Sequence, residues 1–413
     1  MTESRDKRSE RFRSQGKDGR GRYLAAPAFL HYGFRPFFLL AAIHAALAIA
    51  FWLHAYATGA GMAGPFQGME WHAHEMLFGF LGAVIAGFLL TAIPNWTGRL
   101  PLNGAPLAVL VLLWLAGRIG TTLVGNPALA LVLDLIFPAV FLAAILREIL
   151  AGSNWRNLPV AGMYSLFLIA NVAHHLEASG MVSGPYAIRL ALGAAAMLIA
   201  LIGGRITPSF TRNWLVKQGA TELPASFGAL DRAALAATAV AVLAWVALPG
   251  LSAPFLLAAG ALLLARLSRW RSRSTLREPI LLVLHAGYAW LGAALLLIGL
   301  SGILPDAVPQ SSAAHALAAG AIGTMTLAVM TRATLGHTGR EIRADGWTLA
   351  IYLAVTLGAL IRVAAPFAGG EARIGWLVTG GVLWGAAFAL FALRYGPMLV
   401  TPRRRGDDPR RKP

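Results

Sequence analysis

This sequence predicts an all-α, polytopic membrane protein of about twelve transmembrane helices, and composition and periodicity together carry that prediction. The 413 residues are 57% hydrophobic and only 13% charged, with a mean hydropathy of +0.63. Apolar runs of roughly the 20 residues that a spanning helix requires recur along the whole chain. Because only short polar segments separate these runs, we expect no sizeable soluble domain.

The predicted helices follow one another between two polar tails. Residues 1–26 and 400–413 are basic tails that we expect to be disordered, and residues 27–399 form the membrane domain. The apolar runs cover residues 37–56, 74–93, 109–122, 128–146, 158–175, 187–206, 233–248, 253–267, 280–300, 314–330, 349–365 and 374–393. The longest internal loop is predicted at about residues 208–231. An even number of spans places both tails on one side of the membrane.

Basic residues concentrate in alternate loops, which predicts the orientation of the chain. Lys and Arg follow the second, fourth, sixth, eighth and tenth helices, whereas the opposite loops at residues 57–69 and 301–312 contain none. By the positive-inside rule, both tails and the basic loops are cytoplasmic. Membrane topology therefore accounts for most of the net charge of +17. Neither tail shows the interleaved aromatic residues of a surface that binds single-stranded bases, so we expect no nucleic-acid partner.

The absence of cysteine restricts the metal chemistry that this chain can support. Without any cysteine, disulfides, thiolate metal sites and covalently attached c-type haem are excluded. A bound metal must therefore be held by histidine, carboxylate or methionine side chains.

Five histidines are predicted at one depth near the outer surface, and they are the candidate metal ligands. His72 and His74 begin the second helix, His174 and His175 end the fifth, and His315 begins the tenth. Ionisable groups inside spanning helices are functional candidates, although a lone histidine more often snorkels or makes a hydrogen bond. His285, in the ninth helix, is a less favoured candidate for the same reason.

The second helix is predicted to provide histidine ligands for two separate metal centres, one on each side of the helix. Side chains two residues apart on an α-helix project about 200° apart, so His72 and His74 face opposite ways. The same periodicity places Glu75 on the side of His72. Glu75 is the candidate for proton transfer in catalysis, with a hydrogen bond that orients a ligand as the alternative.

A haem between His74 and His315 is a further expectation from the spacing. Under a fixed shift of 241 residues, His74, Gly79, Gly82, Ala92, Thr97, Gly98 and Arg99 align with His315, Gly320, Gly323, Ala333, Thr338, Gly339 and Arg340. Small residues also recur at such spacings by chance in packed helices. Arg189 and Arg362 are candidates for binding haem propionates, with snorkelling to the headgroups as the alternative. Arg118 and Asp134 flank a short turn and are expected to pair.

Several long motifs resemble those of the NnrS family, bacterial inner-membrane proteins associated with the response to nitric oxide. The motifs are GFRPFF, WHAHEMLFGF with IAGFLLTAIPNWTGR, NVAHH, GGRITPSFTRNW and HALAAGAIGTMTLAVMTRATLGHTGR, and the resemblance runs from about Phe34 to Tyr395. The resemblance implies a membrane protein that carries haem, which we take as haem b, and copper. A possible similarity to the twelve-helix haem-copper oxidase core is an analogy at the level of fold.

Three classes of function remain open from the sequence. An oxidoreductase would reduce or otherwise turn over nitric oxide at a haem beside a copper, with electrons from a quinol or a cytochrome. A non-catalytic protein would bind nitric oxide, haem or copper. A transporter is the least favoured class, because the sequence shows no broken helices with paired acids near the middle of the membrane, as a proton-coupled carrier would have.

Overall fold

The computed structural model describes residues 26–403, and this part of the chain consists of helices and turns without a β-strand. The long helices are α1 (Phe34–Thr58), α2 (Met69–Thr97), α3 (Ala105–Leu123), α4 (Pro127–Ala151), α5 (Leu158–Ala178), α6 (Tyr186–Lys217), α7 (Ala229–Ala247), α8 (Ala253–Ser268), α9 (Pro279–Ile303), α10 (Gln310–His337), α11 (Gly346–Phe367) and α12 (Gly370–Val400). Every predicted apolar run falls on one of them to within a residue. Almost all of both predicted tails, residues 1–26 and 400–413, lies outside the described residues.

Most of these helices have the length and composition of a membrane span. Ten of them, all except α5 and α8, are long and apolar enough to cross a bilayer. Helix α8 is apolar but has only 16 residues. Helix α5 has 21 residues and ends in polar side chains that include Asn171, His174 and His175. The prediction of an all-α, polytopic membrane protein is confirmed.

Helix α6 is longer than its apolar run predicts. The run ends at residue 206, and residues from 208 onward were expected to form a loop, but the helix continues through Pro208 to Lys217. The extension buries Thr207 and Thr211, whose side chains carry no apolar signal in the sequence. Hydropathy therefore underestimates the length of a helix whose end is buried through small polar residues.

Three helices form the centre of the bundle. Helices α2, α6 and α10 are the most buried of the spans, and each is the second helix in a group of four: α1–α4, α5–α8 and α9–α12. Consecutive groups are joined by packing of α4 on α5 and of α8 on α9. The packing of α12 on α1 closes the ring.

The first and last helices meet at one end of the bundle. Arg35, at the start of α1, is 2% exposed and donates hydrogen bonds to the carbonyl oxygens of Leu399 at 2.9 Å and Thr401 at 2.7 Å. The two ends of the described chain therefore lie on one side of the bundle. We call the opposite side, which holds the loops from α1 to α2 and from α9 to α10, the far end.

Each central helix contains a π-helical segment. The segments are Glu75–Leu81 in α2, Ile199–Gly203 in α6 and Ala316–Ile322 in α10. π-Helical turns are rare and occur frequently at functional sites. The segments of α2 and α10 begin directly after His74 and His315, which draws attention to both histidines.

The backbone follows the same shift of 241 residues that relates the two histidine motifs. The α-helical turn Met69–His74 corresponds to Gln310–His315, and the π segments that follow also correspond residue for residue. Gly98 and Gly339, related by this shift, are both left-handed, with φ of 69° and 73°. The repeat seen in the residue pattern therefore extends to backbone conformation.

Candidate metal centre

One polar cluster lies inside the far end of the bundle, between α2, α4 and α5. His74 Nε2 lies 3.1 Å from Asp134 Oδ2, and His175 Nε2 lies 3.2 Å from the same oxygen. The three ligand atoms lie within 4.8 Å of one another, and all three residues are buried. We call His74, Asp134 and His175 the α2–α4–α5 site.

The two distances from Asp134 Oδ2 to the histidine nitrogens, 3.1 and 3.2 Å, match those between ligands around one metal ion. Atoms at the corners of a tetrahedron with metal bonds of about 2.0 Å lie about 3.3 Å apart. Asn171 Oδ1 lies 3.1 Å from His74 Nε2 and offers a further oxygen beside the three ligand atoms. Imidazole with carboxylate oxygen is a donor set that suits copper, zinc or iron.

Both ring nitrogens of His74 face acceptors. Nδ1 lies 3.1 Å from Glu75 Oε1, and Nε2 faces Asp134 Oδ2 and Asn171 Oδ1. A neutral imidazole carries only one N–H, so one of its nitrogens must direct a lone pair at an acceptor. Asn171 Oδ1 is the acceptor because its Nδ2 donates to Asp134 Oδ2 at 2.8 Å. A cation at this point, either a proton on His74 or a metal ion, removes the repulsion.

The predicted pair His174 and His175 is divided between two environments. His175 belongs to the α2–α4–α5 site, whereas the Nε2–H of His174 donates to the carbonyl oxygen of Glu70 at 3.2 Å. The His174 ring lies 5.3 Å from the His74 ring, and its buried Nδ1 has no hydrogen-bond partner among residues 26–403. His174 therefore offers a further nitrogen beside the site.

Glu75 is held in a fixed position by its neighbours. Arg118 Nη1 donates to both of its carboxylate oxygens at 2.8 Å, and Thr121 Oγ1 donates at 2.7 Å. The prediction that Glu75 shares the side of His72 is wrong, because its side chain turns towards Arg118 and hydrogen-bonds His74. Of the two predicted roles, the contacts favour orientation of a ligand over proton transfer.

Arg118 joins the two buried acids of this cluster. It pairs with Asp134 as predicted, and the same guanidinium binds Glu75. His44 Nε2 lies 3.0 Å from Glu75 Oε2 and adds a contact from α1. Gly79 permits this arrangement, since a Cβ there would lie 2.7 Å from His44 Nε2 and 2.8 Å from Arg118 Nη1.

A second cluster lies on the opposite side of α2. The rings of His72 and His315 are nearly parallel, with 8° between their planes and 6.3 Å between their centroids. Trp52 stacks on His72 with 5.0 Å between the ring centroids. The Nδ1–H of His315 donates to the carbonyl oxygen of Ser311 at 2.8 Å, which leaves Nε2 for a ligand. We call His72, His315 and Arg362 the α2–α10–α11 site.

Two buried nitrogens of this second site lack a partner. His72 Nδ1 and Arg362 Nη1 make no hydrogen bond with any residue from 26 to 403. Arg362 also acts electrostatically on both imidazoles. The predicted pairing of His74 with His315 is corrected by these contacts, because His315 meets His72 while His74 meets His174 and His175.

The remaining predicted residues lie outside both sites. Both ring nitrogens of His285 have partners, Thr211 Oγ1 at 2.9 Å and Ser272 Oγ at 2.8 Å, so it is a hydrogen-bonded core histidine in this arrangement. Arg189 is half-buried and makes no hydrogen bond or ion pair with another described residue. Neither residue is brought to the two clusters.

Asp134 and Asn171 are candidate ligands that the sequence analysis missed. Asp134 was interpreted only as the partner of Arg118, and one of its oxygens does serve that pair. The other oxygen faces His74 and His175. The sequence placed the charged Asp134 at the same depth as several histidines, which could have indicated a ligand. Hydropathy, however, does not show towards which neighbours a helix directs its side chains.

Comparison with known proteins is consistent with these features. The sequence model of one protein family, described as NnrS protein, matches residues 28–403, which is nearly the whole chain. The comparison with curated proteins finds no match.

Proposed function

Because the chain belongs to the NnrS family, we propose that it binds copper and haem b and reduces or otherwise turns over nitric oxide at a histidine-bound metal. Membership of this family fits a role in the nitric oxide response. The observation that carries the proposal is the convergence of His74, Asp134 and His175 on one buried point. Nothing else in residues 26–403 gathers three such ligands.

Copper is the metal proposed for the α2–α4–α5 site. Two imidazole nitrogens and one carboxylate oxygen suit copper, and the unpartnered Nδ1 of His174 supplies a further imidazole beside them. Glu75 would orient His74 through its Nδ1–H, and Arg118 would keep Asp134 ionised as a ligand. These residues hold the ligands, and the bound metal would supply the redox chemistry.

Haem b is proposed for the α2–α10–α11 site. His72 and His315 would each hold the haem iron through an imidazole nitrogen, and the bound haem would supply the redox chemistry. The rings of His72 and His315 are 6.3 Å apart and nearly parallel. The unpartnered Nη1 of Arg362 is a donor for a propionate. The orphaned His72 Nδ1 is the available ligand atom on the α2 side.

A non-catalytic binding protein is the second candidate function, and one observation favours it. Reduction of nitric oxide needs protons, yet Glu75 is fully buried and bonded to Arg118, Thr121 and His74. A carboxylate held by so many donors is a poor mobile proton carrier. Binding or sequestering nitric oxide requires no such carrier.

The proposal includes a place in the cell and a source of electrons. We expect the bacterial inner membrane with both tails cytoplasmic, since the basic loops lie at the end opposite to the two sites. If the protein is an enzyme, a quinol or a cytochrome would supply electrons.

The two candidate functions are separated by counting turnovers. The purified protein is analysed for copper and haem, and then receives a chemical reductant and nitric oxide while an electrode follows the gas. Consumption over many equivalents supports an enzyme, whereas uptake that stops at one equivalent per site removes the enzyme and leaves the binding protein.

Matched variants assign the metal to its ligands. Asp134→Asn should lose most of the copper, whereas Asp306→Asn, at an exposed loop residue without an ion pair among the described residues, should keep it. Wild-type protein that contains neither metal after purification from a copper- and iron-replete culture would refute the proposal.

A further inference from the structure

The π segments of the three central helices share one kind of contact, which the sequence motifs do not predict. In each segment or at its end, a backbone carbonyl accepts a hydrogen bond from a side chain on another helix. Trp114 Nε1 donates to the carbonyl of Gly79 at 3.0 Å, and Trp384 Nε1 donates to that of Ala319 at 3.2 Å. Arg266 Nη1 donates to the carbonyl of Ala200 at 2.9 Å.

These contacts are suited to holding an irregular helix in place. A regular α-helix commits its carbonyl groups to amides four residues ahead, so side chains from other helices seldom bind them. A carbonyl oxygen has two lone pairs, and the Gly79 carbonyl in the π segment accepts both the Gly82 N–H and the indole N–H of Trp114. Trp114 is 2% exposed and Trp384 is 6% exposed, so both indole bonds are shielded from solvent and lipid.

Two of the three π segments directly follow a histidine, and the third does not. His74 precedes Glu75–Leu81, and His315 precedes Ala316–Ile322, whereas Leu198 precedes Ile199–Gly203. The tryptophan contacts belong to the two segments with histidines, and the arginine contact belongs to the third. If the pitch of a segment changes, the residue directly before it rotates about the helix axis relative to the residues after the segment, because the position of each residue depends on the turn of about 100° per residue between them.

We propose that Trp114 and Trp384 are positioning residues, whose indole N–H groups hold the π segments so that His74 and His315 keep their ligand-binding directions. Trp114 serves the α2–α4–α5 site from α3, and Trp384 serves the α2–α10–α11 site from α12. Gly323 makes room for the second contact, because a Cβ there would lie 2.5 Å from Trp384 Nε1. The part concerning metals rests on the proposed function, whereas the part concerning the π segments stands without it.

The first test measures backbone protection and needs no metal. Trp114→Phe and Trp384→Phe retain an aromatic ring and remove the N–H donor. Hydrogen–deuterium exchange of the full chain in lipid nanodiscs should accelerate roughly fivefold or more in Glu75–Leu81 for the first variant. The second variant should accelerate Ala316–Ile322 to a similar extent. Equal acceleration of both segments by either variant, or none, would overturn the proposal.

The second test measures ligand binding at one site. Titration with Cu²⁺ should show affinity lowered by about tenfold or more in Trp114→Phe and unchanged in Trp384→Phe. Trp245→Phe is the matched control, since Trp245 is also buried but makes no hydrogen bond to a π segment. Faster exchange in Trp114→Phe with unchanged Cu²⁺ affinity would show that Trp114 stabilises the helix without positioning His74, which contradicts the proposal.

A further variant keeps the shape of tryptophan and tests the role of the N–H even if Trp114→Phe disturbs folding. Incorporation of 3-benzothienylalanine at position 114 keeps the bicyclic ring and replaces the N–H by sulfur. It should reproduce the faster exchange of Glu75–Leu81, and normal exchange there would refute the role of the N–H. Wild-type protein that binds no Cu²⁺ would refute the proposed function, while the exchange data would still decide the role of both tryptophans.

Discussion

Replacement of Arg118 by methionine should destabilise the protein by roughly 3–5 kcal/mol, the usual cost of removing one partner from a buried ion pair. Arg118 neutralises two acids at once, with bonds of 2.8 Å to each Glu75 oxygen and a further bond to Asp134. Its side chain is 10% exposed, Glu75 is fully buried, and Asp134 is 1% exposed. Methionine preserves most of the apolar packing and removes the charge.

The magnitude follows from what the two acids do when the guanidinium is gone. A charge at about 4 Å in surroundings of effective dielectric constant near 20 contributes about 4 kcal/mol per pair. An acid that loses this contribution can take up a proton instead, at a cost of about 4 kcal/mol at pH 7 for an ordinary carboxyl pKa near 4. The loss is therefore bounded near this value for each acid. The total should stay at roughly 3–5 kcal/mol, because Thr121 still donates to Glu75 and Asn171 still donates to Asp134. This loss should shrink as the pH falls and protonation costs less.

The assay is reversible chemical unfolding in detergent at pH 7 and at pH 5, with Arg189→Met as the matched control. Arg189 is half-buried without an ion pair in the described part of the chain, so its replacement should change the free energy of unfolding by about 0.5 kcal/mol or less. The triple variant Arg118→Met, Glu75→Gln, Asp134→Asn removes the charges together and should recover at least half of the loss. A loss below about 1 kcal/mol for the single variant, or no recovery in the triple variant, would refute this account of the cluster.

Three further predictions test other parts of the structure. His72→Ala should abolish the optical haem signal and keep the Cu²⁺ electron paramagnetic resonance signal, and simultaneous loss of both would contradict the division across α2. His285→Ala should keep both signals, because its nitrogens are bonded to Thr211 and Ser272; loss of either signal would reinstate it as a ligand. Asp345 caps the N-terminus of α11. Burial raises the pKa of its carboxyl group, but hydrogen bonds from Thr348 and the charge of Arg394 have the larger combined effect. The pKa of Asp345 is therefore lowered below its ordinary value. Asp345→Ala should therefore cost about 1 kcal/mol at pH 7, and this cost should disappear as the pH falls through the lowered pKa. A cost in thermal unfolding that stays unchanged however far the pH is lowered would refute it.

The apolar pattern of the chain was sufficient to predict which segments are helical. Spans separated by short polar turns leave few alternatives, because backbone polar groups inside a bilayer must be paired within a helix. The same pattern underestimated α6, since buried threonines and Pro208 interrupt the apolar signal without interrupting the helix.

Depth along the membrane normal was also accessible from the sequence. Counting residues from the ends of the spans placed His72, His74, His174, His175 and His315 at one level. The pairing of Arg118 with Asp134 followed from their equal distances to a short turn, and the structure confirms it.

Which side chains meet at that level was decided by tertiary structure. The rotation of α4 directs the second oxygen of Asp134 at His74 and His175, and the position of α10 brings His315 to His72. Glu75 turned to the side of His74 because Arg118 stands there on α3. Composition and periodicity determine length, order and depth, which are properties of one helix in a bilayer. The rotation of each helix about its axis and the identity of its neighbours depend on packing between helices. Side-chain shape and a few buried charges determine that packing, so the sequence of a single segment does not contain this information.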